Sequence, residues 1–74
     1  MKRIRPLTGK RVVEKLSKIG FVIARKKGSH VVMKNETGRV VVVPVHAGEE
    51  IGPGLLGEII EQAGLTREQF FAID

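Results

Sequence analysis

Near the start of the chain apolar residues recur at helical spacing. Val12, Val13, Leu16 and Ile19 fall on one side of a helix predicted over 9–19, capped by Thr8 and stopped at Gly20. Arg11, Lys15 and Lys18, at i, i+4 and i+7, form a stripe on another side and are expected to give the helix a basic edge toward solvent. The pattern then changes. FVIARK (21–26) is rich in β-branched and aromatic residues and reads as a strand. Lys27-Gly28 reads as a turn, and SHVVMK (29–34) as a second strand. Asn35-Glu36-Thr37-Gly38 is expected to be a four-residue hairpin loop leading to a third strand, RVVVVPV (39–45), with Pro44 at an edge or terminus. HAGEEIG (46–52) reads as a connecting loop. Pro53 suits the first position of a second helix running to about Ala63, stopped by Gly64. Leu55, Leu56, Ile59, Ile60 and Ala63 give that helix its apolar face, with Glu58 and Glu61 away from it. Thr66 and Gln69 resemble a capping box opening a short third helix that carries Phe70 and Phe71.

Three strands joined by two hairpins make an antiparallel meander, and amphipathic helices bury their stripes by lying on one face of it. The chain is therefore expected to be a single domain over 1–74. Its fold class is α+β: a two-layer sandwich in the order α-β-β-β-α(-α), the order of a double-stranded-RNA-binding-type fold. If Lys34 pairs with Arg39 across the loop, His30, Val32, Lys34, Arg39, Val41 and Val43 share one face. Ser29, Val31, Met33, Val40 and Val42 share the other. The second set is the cleaner apolar one and is expected to meet the helices. That leaves His30 on the open face beside Lys34 and Arg39.

Seventy-four residues bury only about 60% of the surface of the unfolded chain, so the core is thin and any site belongs on the surface. There is no cysteine, which removes disulfides and thiolate metal sites and accords with a cytoplasmic protein. The basic opening MKRIRPLTGK lacks a following apolar region of signal-peptide type, and no apolar stretch is long enough to span a membrane. Charge is segregated: residues 1–34 hold eleven Lys/Arg against Glu14 alone, and residues 35–74 hold two against seven acids. A basic half is the footprint expected for a polyanion, most often nucleic acid, or a solvated surface without a partner; the acidic half would suit a protein partner.

Within the basic half, KKGSHVVMK (26–34) places one of only two histidines beside lysines at a hairpin. An exposed imidazole exchanges protons near neutrality, and lysines beside it would hold a phosphodiester and stabilise charge developing on it. A surface histidine without a task has the same spacing. Ser29 and His30 point to opposite faces of a strand, which argues against a serine nucleophile paired with His30, and there is no nucleophile-elbow motif. His46 with Glu49 and Glu50 lacks metal-ligand spacing. It reads as a loop residue that positions or caps, pointing away from His30. Laid on the RNA-recognition-motif consensus, the segment has Ser29, Val31 and Lys34 where stacking aromatics belong. With no Trp or Tyr there is no base-stacking platform.

TGKRVVEKLSKIGF (8–21), RKKGSH (25–30), VVPVH (42–46) and PGLLGEIIEQAG (53–64) together resemble the HicA (YcfA-like) family of small toxins from prokaryotic toxin–antitoxin pairs, over almost the whole chain. The resemblance implies an mRNA interferase, a ribosome-independent RNA endonuclease with a double-stranded-RNA-binding-type fold and no cofactor. Its catalytic histidine lies in the GSH segment and maps to His30. Lys10, Arg11, Lys26, Lys27, Gly28, Ser29 and Lys34 would contact the RNA, and a HicB-type antitoxin would cover the site. Family members often carry basic residues along the second helix, whereas Gly57 and Glu61 leave it acidic here. RNA docking is accordingly expected at the first helix and first hairpin.

Overall fold

Thr8 accepts the Arg11 backbone N–H at 3.2 Å and opens helix α1, Gly9–Ser17, in a computed structural model that describes residues 7–74. Val12, Lys15 and Leu16 are buried along it, with Val13 half-buried. Ile19 falls past the helix end and is exposed. The helix closes early because Gly20, at φ +101°, turns the chain so that Phe21 donates to the Leu16 carbonyl at 3.1 Å.

Strands β2 (Val22–Lys27), β3 (His30–Lys34) and β4 (Val40–Pro44) follow and form one antiparallel sheet in the order β2-β3-β4; the preceding β1 (Leu7–Thr8) is a separate short pairing. The first hairpin closes through the two residues Gly28 and Ser29, with Lys27 paired to His30. Gly28 has φ +58° and Ser29 has no positive φ, which makes a type II′ turn with glycine at its first central position. Ser29 thus belongs to the turn and not to the strand where the sequence pattern placed it.

The second hairpin corrects the expected register. Asn35 donates to the Arg39 carbonyl at 3.2 Å, Gly38 takes φ +87°, and the Arg39 N–H turns to Asn35 Oδ1 at 2.9 Å. This is a three-residue loop with a glycine bulge, not a four-residue loop. Lys34 therefore pairs with Val40 instead of Arg39, Met33 with Val41, and Val31 with Val43. One residue of slip exchanges the faces of β4. Val41 and Val43 are fully buried, Val40 and Val42 lie on the open face, and Arg39 leaves that face to donate to the Gln62 carbonyl at 3.2 Å.

The remaining elements are β5 (Glu50–Ile51), α2 (Pro53–Gln62) and α3 (Arg67–Phe71). β5 pairs with β1, Leu7 opposite Ile51, inside what reads in the sequence as plain loop. α3 has the expected capping box: Gln69 N–H donates to Thr66 Oγ1 at 3.0 Å, and Thr66 N–H to Gln69 Oε1 at 2.8 Å. Val12 and Leu16 of α1, Leu56, Ile59 and Ile60 of α2, and Phe70 of α3 join Val31, Met33, Val41 and Val43 of the sheet in one core. Leu55, expected on the apolar face of α2, is exposed. α1 reaches the sheet through Gly9, where a Cβ would stand 2.2 Å from the Pro44 carbonyl oxygen. The outer edge of β4 is occupied: Val42 N–H donates to Gln62 Oε1 at 3.3 Å, and Pro44, two residues on, has no N–H to offer. The result is an α+β two-layer sandwich of the double-stranded-RNA-binding type, helices on one face of a three-stranded sheet.

Candidate functional site

With the helices covering one face, the other is open, and the register arranges it in three rows. The first row is Lys27, His30 and Pro44. The second is Arg25, Val32 and Val42, and the third is Val22, Lys34 and Val40. His30 is the first residue of the central strand and is exposed, as the sequence pattern predicts. Its cross-strand neighbour is Lys27, at the short separation of directly opposed residues. A shallow, open hollow is lined by Arg25, Lys27, Gly28, Ser29, His30 and Val32.

The cations sort differently from the sequence expectation. Lys26 pairs with Val31, so it faces the helix side of the sheet and does not line the hollow. Lys34 shares the face of His30 but stands four residues along β3, about 13 Å away at the rise of a strand. Arg25 takes the place expected of Lys26. The two-residue turn pairs Lys27 with His30, and alternation back along β2 then turns Lys27 and Arg25 toward His30 and Lys26 away; Ala24, the extra residue where the register shifts between Ile23 and Arg25, lies beyond these pairs. The three cations are plain in the sequence; the turn position that sorts them is not.

α1 contributes less free charge than its stripe implies. Lys10 is exposed in the first turn, next to Gly9 where the helix meets Pro44 and Val45, and so lies at the His30 end of the sandwich. Arg11 is half-buried and pairs with Glu14 at 3.4 Å. Lys15 is buried: its Nζ donates to the Ile73 carbonyl and stands 5.5 Å from the centre of the Phe70 ring. Burial lowers its pKa first, with Arg11 and Lys18 adding to this and Asp74 opposing it. Lys18 Nζ donates to the Asp74 carbonyl. The expected basic edge is thus largely engaged by the chain's own last helix and the residues after it.

Gly28 and Ser29 form the turn that presents His30. The Ser29 carbonyl accepts the Val45 N–H at 2.6 Å, and Ser29 Oγ lies 3.3 Å from His46 Nε2. The expected register turned His46 away from His30. The observed one pairs His30 with Pro44, two residues before His46, and the two histidines bracket Ser29. Among the described residues no group of three or more His, Cys, Asp or Glu side chains gathers where it could hold a metal ion. No helix among them is long and apolar enough to cross a membrane.

A family model described as HicA toxin of bacterial toxin–antitoxin matches residues 9–65, which span both hairpins, the His30 turn and α2. Comparison with curated proteins returns no match.

Proposed function

The chain belongs to the HicA toxin family and is a toxin of a toxin–antitoxin pair, and from that membership we infer that it acts as a ribosome-independent RNA endonuclease with His30 as its proton-transfer group. Membership also implies a cognate antitoxin. The observation that carries the reading is the first row of the open face: an exposed imidazole with a lysine directly opposite and an arginine in the next row. A phosphodiester seated there would have its charge held by Lys27 and Arg25. The neighbouring 2′-hydroxyl supplies the nucleophile, so the protein needs none of its own.

In the cleavage step the 2′-oxygen loses its proton and attacks the adjacent phosphorus. The bond from phosphorus to the 5′-oxygen breaks, and that oxygen takes up a proton. The products are a 2′,3′-cyclic phosphate and a 5′-hydroxyl. His30 serves one of these two transfers. Cations beside the phosphate stabilise the charge that builds on its oxygens, which lets the step proceed without a metal. Lys10, Gly28 and Ser29 lie at the same end and would guide the backbone, while Lys34 would meet it farther along the strand. An antitoxin of HicB type would silence the protein by covering this face.

The test compares wild type and His30→Ala for cleavage of an mRNA in EDTA and for affinity to the same RNA. Cleavage by wild type alone, with similar affinity in both, is the expected result. RNA bound by both and cut by neither would make this a non-catalytic binding module of the same fold. Growth arrest on expression, relieved by the product of the neighbouring gene, would match the toxin role in the cell.

A further inference from the structure

His30 has no side-chain hydrogen bond of its own among the described residues, so its aim depends on the turn that carries it. That turn is tied to the far side of the sheet at two points on one residue. The Ser29 carbonyl takes the Val45 N–H at 2.6 Å, and the Ser29 hydroxyl meets His46 Nε2 at 3.3 Å. Val45 packs against the core, so one end of the tie is anchored. A two-residue turn with a glycine at φ +58° would otherwise be the freest part of the sheet, exposed at a hairpin tip.

We propose that His46 is a positioning residue for His30, acting through Ser29 to hold the Gly28–Ser29 turn in the geometry that cleavage needs. The inference rests on the nuclease reading only for its activity readout. His46 does not itself line the hollow; its partner is the hydroxyl of Ser29, which does. A hydroxyl both donates and accepts, so the contact survives in either tautomer of the ring. What the contact requires is a hydrogen-bonding atom at the Nε2 position, and a glutamine amide reaches that position without titrating.

The experiment uses the full chain as wild type, His46→Ala, His46→Gln, Ser29→Ala and the His46→Ala/Ser29→Ala double variant. A small misplacement of a catalytic group lowers turnover strongly. His46→Ala is therefore expected to lower kcat for RNA cleavage about 10- to 100-fold with KM nearly unchanged. His46→Gln should restore most of it, and the double variant should be no worse than the poorer single one, since both cut the same tie. Loss of activity in His46→Gln equal to that in His46→Ala would overturn the proposal in favour of a titrating role, and so would a change confined to KM. A second measurement needs no substrate: hydrogen exchange at the Val45 amide and the ring resonances of His30. Exchange should quicken and the His30 resonances move in His46→Ala, and both should return in His46→Gln. Unchanged exchange and resonances in His46→Ala would sink the proposal. If wild type leaves RNA intact in EDTA the nuclease reading fails, and the exchange data still decide the tie.

Discussion

Lys27 is the cross-strand partner of His30. Adjacent in sequence, Lys26 is the partner of Val31 and looks the other way, so two neighbouring lysines of one strand have different prospects with RNA. In a His30→Ala background, Lys27→Ala and Arg25→Ala should each weaken RNA binding. Each should also reduce the slope of log affinity against log salt by about 0.7–0.9, the loss of one phosphate contact. Lys26→Ala should change that slope by less than half as much. Filter binding across a salt series measures all three; equal effects at positions 25, 26 and 27 would contradict the facing set by the Lys27–His30 pairing.

Gly9 and Gly57 should respond to alanine in opposite directions. A Cβ at Gly9 meets the Pro44 backbone oxygen at 2.2 Å, where nothing flexible can yield, so Gly9→Ala should cost about 1–3 kcal/mol or more. Gly57 lies inside α2 with nothing within 4 Å of a Cβ, so Gly57→Ala should stabilise by about 0.5–1 kcal/mol. Urea midpoints at unchanged slope give both values.

Asn35 holds the second hairpin with one atom. Its Oδ1 accepts from Thr37 N–H at 3.1 Å, Thr37 Oγ1 at 2.9 Å and Arg39 N–H at 2.9 Å. Asn35→Ala should cost about 1–2 kcal/mol in urea unfolding, more than a surface change elsewhere. Asn35→Asp keeps the acceptor and should recover most of it.

Lys15 gives the chain an alkaline signature. Burial holds its folded pKa below the ordinary value of 10.5, so between the two the unfolded chain binds more protons and stability rises with pH. The cost of keeping Lys15 charged is fully present below the folded pKa and fades as pH climbs toward 10.5. Relative to Lys15→Met, which keeps the packing stem without the charge, wild type should gain stability between neutral pH and pH 10.5. A stability difference that stays flat over that range would contradict the burial effect.

Much of this architecture is legible in the chain. Thr8, Gly20, Pro53, Gly64, Thr66 and Gln69 mark helix ends through side-chain and backbone chemistry that acts within one turn, and such signals survive any tertiary context. The open-face position of His30 is legible for a similar reason, because Val31 and Met33 alternate cleanly with it. The faces of β4 are not, since RVVVVPV is apolar on both sides and its register hangs on whether the loop counts three residues or four. That single residue moved Arg39 off the site, Val40 and Val42 onto the open face, and Pro44 beside His30, which brought His46 to the Ser29 turn. The β1–β5 pairing is too short to have a period, and the fate of Lys15 and Lys18 depends on where the last residues pack. The candidate site is thus half visible: its histidine and one lysine follow from pattern, while its arginine and its second histidine follow from where the two hairpin loops begin and end.

Among the described residues the unpaired edge of the sheet is β2, six exposed residues that include Val22 and Ile23 as well as Arg25, Lys26 and Lys27. An edge of that length invites a second chain to add a strand, and charged side chains and a bulge are what discourage it. Arg25 and Lys27, read above as RNA contacts, therefore join Lys26 in keeping copies of the protein apart. Removing two or three of them together, the natural way to make an RNA-binding mutant, leaves a strand disposed to aggregate. Lost activity in such a variant would then reflect depletion of monomer, and charge reversal to glutamate would separate the two effects, since it abolishes RNA contact while preserving repulsion between edges.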